Sequence, residues 1–134
     1  MSVARERWPR NVALIVLGAY SISRCLAYVG PLSPAQTPTQ LVFVDQFIPI
    51  WVYAALWAVA AGLAIAAVFQ RKFQPAAIGI NAGLNFLWGL SFLLAWAFLD
   101  QPRSWVTSMS YFAISALTVA VGASQERPVA NGRR

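Results

Sequence analysis

Four long apolar stretches, separated by short polar connections, constrain the fold of this chain more than any other feature. Each is long enough to cross the roughly 30 Å hydrocarbon core of a bilayer as a helix, which takes about 20 mostly apolar residues. None of the four acidic residues of the chain lies within them. The runs are continuous rather than alternating, which favours helices over strands. The predicted spans are residues 11–29, 48–69, 76–99 and 105–123.

The low content of charged residues supports a membrane location. Charged residues make up 10% of the chain, against about 25% in a soluble domain, so polar side chains are too few to cover an apolar core. We therefore predict an all-α integral membrane protein, a four-helix antiparallel bundle. Residues 1–10 would form a basic N-terminus, 11–123 the transmembrane domain with an outer loop at 30–47, and 124–134 a basic tail.

The prolines agree with these boundaries. A proline in a helix interior removes a hydrogen bond and clashes with the preceding turn, whereas a first turn or a loop tolerates it. Pro49 and Pro75 fall where the second and third helices are expected to begin. We place Pro9 ahead of the first span and the other five prolines in connections or in the C-terminal tail.

The basic residues predict the orientation of the bundle. An even number of spans puts both termini on one side, and the predicted loops put most of the 10 basic residues there too. Arg103 alone lies in the outer connections, with Arg24 near it inside the first span. The positive-inside rule therefore predicts cytoplasmic termini in a multi-pass protein of the inner membrane. The net charge of +6 is then a topology signal, and we expect no nucleic-acid partner. The basic residues on the terminal side are Arg5, Arg7, Arg10, Arg71, Lys72, Arg127, Arg133 and Arg134.

Arg24 is the single charged residue inside a predicted span. It lies near the outer end of that span, where a long side chain can extend to the surface. Asp45, near the outer start of the second helix, is its candidate partner, and we predict a structural ion pair between them. The alternative is a contact between Arg24 and an anion or a lipid headgroup. Residues 39–47 of the outer loop form either a short interfacial helix capped by Thr39 or an irregular segment.

Small residues recur at four-residue spacing in the two central spans. Such rows let helix backbones approach closely. They predict close helix packing, either within the hairpin formed by the second and third helices or between copies of the chain. The residues are Ala54, Ala58, Gly62 and Ala66 in the second span and Gly79 and Gly83 in the third.

Weakly polar residues form stripes on three of the predicted helices. Steps of three and four residues place a set on one face of the fourth helix, and two asparagines lie one turn apart in the third. These side chains are expected to turn inward, away from lipid. They either form hydrogen bonds within the bundle or line a hydrophilic path. The residues are Tyr20, Asn81, Asn85, Ser108, Tyr111, Ser115 and Thr118.

The residue types that are missing argue against catalysis. The chain has no histidine and one cysteine, Cys25, which excludes an internal disulfide and a Cys/His zinc site. No acidic residue lies inside a span to couple transport to protons. We therefore expect no catalytic residues, no metal, no cofactor and no enzymatic activity. Cys25 is expected to be a small buried apolar residue, and Trp57 and Trp88 to pack or face lipid rather than form a ligand cage.

Segments 5–10 and 81–96, together with the length, span count and basic tails, resemble the small four-span membrane proteins of actinobacteria and their phages, some of which are holin-like. The resemblance implies a homo-oligomer that associates through the small-residue rows and opens a membrane lesion lined by the polar stripes. The alternative is a membrane accessory, surface-modifying or superinfection-exclusion protein that acts through partner binding. The expected partners are the lipid bilayer and either further copies of the chain or another membrane protein.

Overall fold

The computed structural model describes residues 2–29, 39 and 45–125, with side chains from Trp8 to Ser124 within those ranges. This part of the chain is helical and contains no strand, which confirms the predicted all-α class. Its four α-helices are α1 (Ser2–Leu26), α2 (Ile50–Phe69), α3 (Gln74–Phe98) and α4 (Ser104–Gln125).

Prolines and short turns delimit the last three helices. Pro49 is the N-cap residue of α2, with φ −59° and ψ 149°, and a proline also lies in the first turn of α3. A single 3₁₀ turn, Arg71–Phe73, joins α2 to α3. Residues 99–103 join α3 to α4, and Asp100 adopts φ 50° in that turn. The bounds of these three helices lie within about two residues of the predicted spans, because local signals determine where they begin.

The first helix differs from its prediction. It begins at Ser2 rather than at residue 11 and ends at Leu26 rather than at residue 29, so Pro9 lies inside it. Proline lacks the N–H that would bond to the carbonyl four residues earlier, but this removes only one helical hydrogen bond near the start of a long helix. The placement of Pro9 ahead of the helix was therefore wrong.

Among the described residues, three helical segments are long and apolar enough to cross a membrane: α2, residues Arg71–Phe98, and Ser104–Ser124. This supports the assignment to membrane proteins. The first helix is not among them, since Arg10, Asn11 and Arg24 lower its mean hydropathy.

The helices pack in an antiparallel order, with α1 on α2, α2 on α3 and α3 on α4. We call the end that carries Arg10, Arg71 and Lys72 the basic end. We call the end that carries Asp45 and Arg103 the loop end. The predicted interfacial segment 39–47 lies mostly outside the described residues.

The core changes character along the bundle. Toward the loop end it is aromatic, built around Tyr53, Trp57 and Trp88. Toward the basic end it consists of small residues, Ala64, Ala67 and Ala77, with Leu14. Many large apolar side chains are instead exposed on the outside of the bundle, including Ile15, Val59, Phe86 and Leu117. An apolar exterior of this kind suits contact with lipid.

Candidate functional site

The Arg24 guanidinium lies among four aromatic rings, one from each of the four helices, and we call these five residues the Arg24 cage. Its central carbon lies 5.0 Å from the ring centroid of Tyr111, 5.2 Å from Trp88, and 5.9 Å from both Tyr20 and Trp57. Nη2 of Arg24 also donates a hydrogen bond to the hydroxyl of Tyr111. Cation–π contacts stabilise a cation by about 2 kcal/mol or more when it is desolvated. These contacts explain how a charged residue is held between the four helices.

Polar atoms in and beside the Arg24 cage lack hydrogen-bond partners in the described structure. They are Nε of Arg24, the indole nitrogens Nε1 of Trp57 and Trp88, and the hydroxyl of Tyr53. The side chains of Trp57, Trp88 and Tyr53 are only 0%, 3% and 2% exposed. Buried polar groups of this kind usually have partners. Their concentration around one guanidinium therefore marks the cage as the candidate site.

The Arg24–Asp45 ion pair stays a prediction. The described contacts of Arg24 are with aromatic side chains. A charge swap, Arg24→Asp with Asp45→Arg, tests the pair directly. Recovery of the stability lost in the single variants would establish it, and no recovery would refute it.

A polar recess of about 300 Å³ opens at the loop end, between α3 and α4. Phe92 lines the recess and also contacts two rings of the cage, since it stacks on Tyr111 at 5.6 Å and lies 6.2 Å from the ring of Trp88. The recess therefore lies next to the Arg24 cage. It also contains an exposed cation, Arg103. Its lining residues are Phe92, Gln101, Pro102, Arg103, Ser104 and Thr107.

Two asparagines of α3 hold α1 against the bundle. The hydroxyl of Tyr20 donates to Oδ1 of Asn85 at 2.7 Å, and the hydroxyl of Ser21 donates to Oδ1 of Asn81 at 2.6 Å. Each amide nitrogen donates to a carbonyl one turn earlier in α3, that of Ala77 or of Asn81, at 2.9 and 2.8 Å. Both asparagines are fully buried. Their side chains are therefore used within the chain.

The polar residues of α4 also bond within the chain. Ser108 donates to the carbonyl of Gly89 at 2.7 Å, and Ser115 donates to that of Ala82 at 2.9 Å, so both tie α4 to α3. Thr118 donates to a carbonyl of its own helix. With Tyr111 in the Arg24 cage, every residue of the predicted polar stripe takes part in an internal hydrogen bond.

The small-residue rows lie largely on the outer surface. Ala54 is buried, at 6% exposed, and Ala66 is half-buried, but Ala58 is exposed. A Cβ atom added at Gly62, Gly79 or Gly83 would meet nothing within 4 Å in the described structure. Packing inside the hairpin therefore does not account for these three glycines.

Other glycines make the close helix contacts. A Cβ at Gly89 would lie 2.7 Å from the ring of Phe112, and one at Gly122 would lie 2.7 Å from Ile78. A Cβ at Gly18 would touch Ile65 at 3.5 Å. These glycines lie outside the two predicted rows of small residues.

An apolar groove of about 410 Å³ separates α1 from α4 over the half of the bundle nearer the basic end. Leu14 and Leu17 line one side and Leu117 and Val121 the other, with Ile78 of α3 also in the lining. The two flanking helices meet nearer the loop end, in the cage. The groove offers no polar chemistry comparable to that of the Arg24 cage.

Sequence reasoning identified Arg24, Tyr20 and Tyr111 but not the two tryptophans as their neighbours. The expectation that Trp57 and Trp88 pack is confirmed, since both lie in the buried core. The structure also places both beside the Arg24 guanidinium. The signal in the sequence was one charged residue inside a span of a chain with two deep tryptophans, whose rings can stabilise a cation. Nothing in the spacing showed that their helices turn these faces toward one another.

Comparison with protein-family models finds no match for this chain, and comparisons with curated proteins and with solved structures find none either. The resemblance to small four-span proteins of actinobacteria and phages therefore stays an expectation. The function has to be argued from the geometry alone.

Proposed function

We propose that this chain is a non-enzymatic, four-span accessory protein of the cytoplasmic membrane that acts by binding a partner rather than by opening a polar path. The first helix supplies the fourth span in this proposal. Its apolar residues Ile15, Val16 and Leu26 face outward, whereas Arg10 and Ser21 are buried. That inverted distribution is typical of a helix whose polar side faces a bundle in lipid.

The observation that carries the proposal is the pairing of the polar stripes inside the chain. Asn81, Asn85 and Ser108 are fully buried, and their bonds go to neighbouring helices or to their own helix. A water-filled path would need such groups to be free to solvate ions or water. The outer surface offers lipid mainly apolar side chains instead.

Dye release from reconstituted vesicles tests this proposal. The purified chain is inserted into liposomes loaded with a self-quenched fluorophore, with a pore-forming peptide as the positive control. We expect release equal to that of protein-free vesicles at every protein-to-lipid ratio. Release that increases with the amount of protein would overturn the binding proposal.

Cytoplasmic termini are part of the proposal and have their own test. In a Cys25→Ala background, single cysteines at Ser2 and Asn131 are compared with one at Gln36 in intact cells. A membrane-impermeant maleimide should label only position 36. Labelling at positions 2 and 131, with protection at 36, would reverse the orientation.

The second candidate is a holin-like homo-oligomer, and the exposed small residues favour it. Ala58, Gly62, Gly79 and Gly83 lie on the surface with no close neighbour at the glycines in the described structure. Rows of this kind allow close helix–helix approach between chains. The polar residues would then have to exchange their internal bonds when a lesion opens.

Regulated expression separates the two candidates. A holin-like protein should depolarise the membrane abruptly, and lysis should follow only when a cytoplasmic endolysin is co-expressed. Gly62→Leu should abolish the effect by blocking the row, whereas Val59→Leu, on a neighbouring exposed position, should not. A normal membrane potential at high protein levels would exclude the holin-like candidate.

A further inference from the structure

The Arg24 cage combines a positive charge with buried donors that have no described partner. A guanidinium carries five N–H donors, and the described hydrogen bond of Arg24 uses one of them, to Tyr111. The ring faces around it stabilise the cation, but a ring face carries no negative charge of its own. Its Nε atom is buried and has no partner among the described residues.

The two cage tryptophans extend this set of donors. An indole nitrogen can only donate, and Nε1 of both Trp57 and Trp88 is buried without a partner in the described structure. The hydroxyl of Tyr53, whose ring lies 5.7 Å from that of Trp88, is in the same condition. A cationic or purely apolar ligand would leave all these donors unbonded, so their chemistry selects an acceptor.

The positive charge of Arg24 favours an anion over a neutral acceptor. Water can satisfy donors but does not balance a guanidinium in a low-dielectric environment. A planar guanidinium matches the paired oxygens of a carboxylate or a phosphate group. The polar recess with Arg103 lies on the other side of Phe92, whose ring stacks on Tyr111 of the cage.

We propose that the Arg24 cage binds an oxyanion, a carboxylate or phosphate group. The guanidinium of Arg24 supplies the charge, and the indole N–H groups of Trp57 and Trp88 supply further hydrogen bonds. The group belongs either to a free anion or to a lipid headgroup, which share this chemistry. This inference goes beyond the proposed function and does not depend on it.

Thermal unfolding of the full chain in dodecyl maltoside, which contains no phosphate, tests the proposal. One arm adds sodium phosphate or acetate, with sodium chloride at equal ionic strength as the reference. The other arm adds phosphatidylglycerol to the micelles, with uncharged diacylglycerol as the reference. We expect the unfolding midpoint to increase with the logarithm of the ligand concentration in at least one arm, because the ligand binds the folded state. A response to phosphate or acetate identifies a free oxyanion, and a response to phosphatidylglycerol alone identifies the lipid headgroup.

Variants assign the response to the cage. Arg24→Gln should abolish it, and Trp88→Phe, which keeps a ring but loses the N–H, should weaken the apparent affinity about tenfold. If Arg24→Gln does not fold, Trp57→Phe and Trp88→Phe carry the test, since both keep the guanidinium. Arg103→Gln is the matched control and should keep the response, because Arg103 lines the recess and is not part of the cage.

Three results would overturn the proposal. The first is an equal response to the oxyanions and to their references in both arms. The second is an unchanged response in folded Arg24→Gln, or in both tryptophan variants. The third is loss of the response in Arg103→Gln with retention in Arg24→Gln, which would move the site to the recess.

Discussion

The hydroxyl of Ser21 donates a 2.6 Å hydrogen bond to Oδ1 of Asn81, and this bond joins α1 to α3. Both side chains are completely buried. The amide nitrogen of Asn81 donates to the carbonyl of Ala77, so both polar atoms of the Asn81 side chain are hydrogen-bonded. A membrane interior offers no water to replace a lost bond, so this pair should contribute measurably to the stability of the bundle.

A double-mutant cycle with Ser21→Ala and Asn81→Leu measures that contribution. We expect a coupling energy between about 0.6 kcal/mol, the average for hydrogen bonds between membrane helices, and about 1.7 kcal/mol, the largest value found. Reversible unfolding in mixed micelles gives the four free energies of unfolding. Ser23→Ala is the control, since that exposed hydroxyl bonds only to its own helix. A coupling energy of zero would show that the bond does not stabilise the α1–α3 contact.

The contact between Gly89 and Phe112 should make Gly89 intolerant of a side chain. A Cβ there would lie 2.7 Å from the Phe112 ring, so we expect Gly89→Ala to lower the free energy of unfolding by about 1–3 kcal/mol. Gly62→Ala, in open surroundings, should be neutral or stabilising, since alanine favours helix over glycine by about 1 kcal/mol. Combining Gly89→Ala with Phe112→Leu should recover part of the loss. Equal effects of the two alanine variants would contradict the close contact.

The hydrogen bond from Arg24 to Tyr111 should contribute more to the free energy of unfolding than a hydrogen bond between neutral groups. Tyr111→Phe keeps the ring of the cage but removes the acceptor, so we expect a loss of about 1.5–3 kcal/mol, as for other hydrogen bonds to charged groups. In an Arg24→Met background the same change should cost much less. Ser110→Ala, at an exposed serine that bonds to its own helix, serves as the control for α4. The same loss with and without Arg24 would argue against the bond.

The turn between α3 and α4 should tolerate few residues at position 100. Asp100 has φ 50°, a left-handed conformation that costs most L-residues roughly 1–2 kcal/mol. We therefore expect Asp100→Val to be destabilising by about that amount. Asp100→Gly and Asp100→Asn, both suited to this conformation, should unfold close to the wild-type midpoint. A valine variant as stable as the glycine variant would refute the left-handed turn.

Helix number and most helix bounds could be predicted because they depend on local signals. Pro49 and Pro75 sit at helix starts, and long apolar runs lie between them. The error at Pro9 has a local cause too, since a proline near the start of a long helix removes little and the backbone continues through it. Trp57 and Trp88 do pack in the core, as expected, but their contact with Arg24 could not be predicted, for a different reason. Their surroundings depend on how α2 and α3 are rotated about their axes, and spacing along one helix does not contain that information.

The amino-acid sequence by itself determined that this chain is helical, apolar and suited to a membrane, because the length and continuity of its apolar runs leave few alternatives. Only the tertiary structure decided which polar groups meet. Ser21 and Asn81 are 60 residues apart, and Arg24 and Tyr111 are 87 apart. Such partners are brought together by the packing and rotation of whole helices. The Arg24 cage therefore exists only once all four helices are assembled.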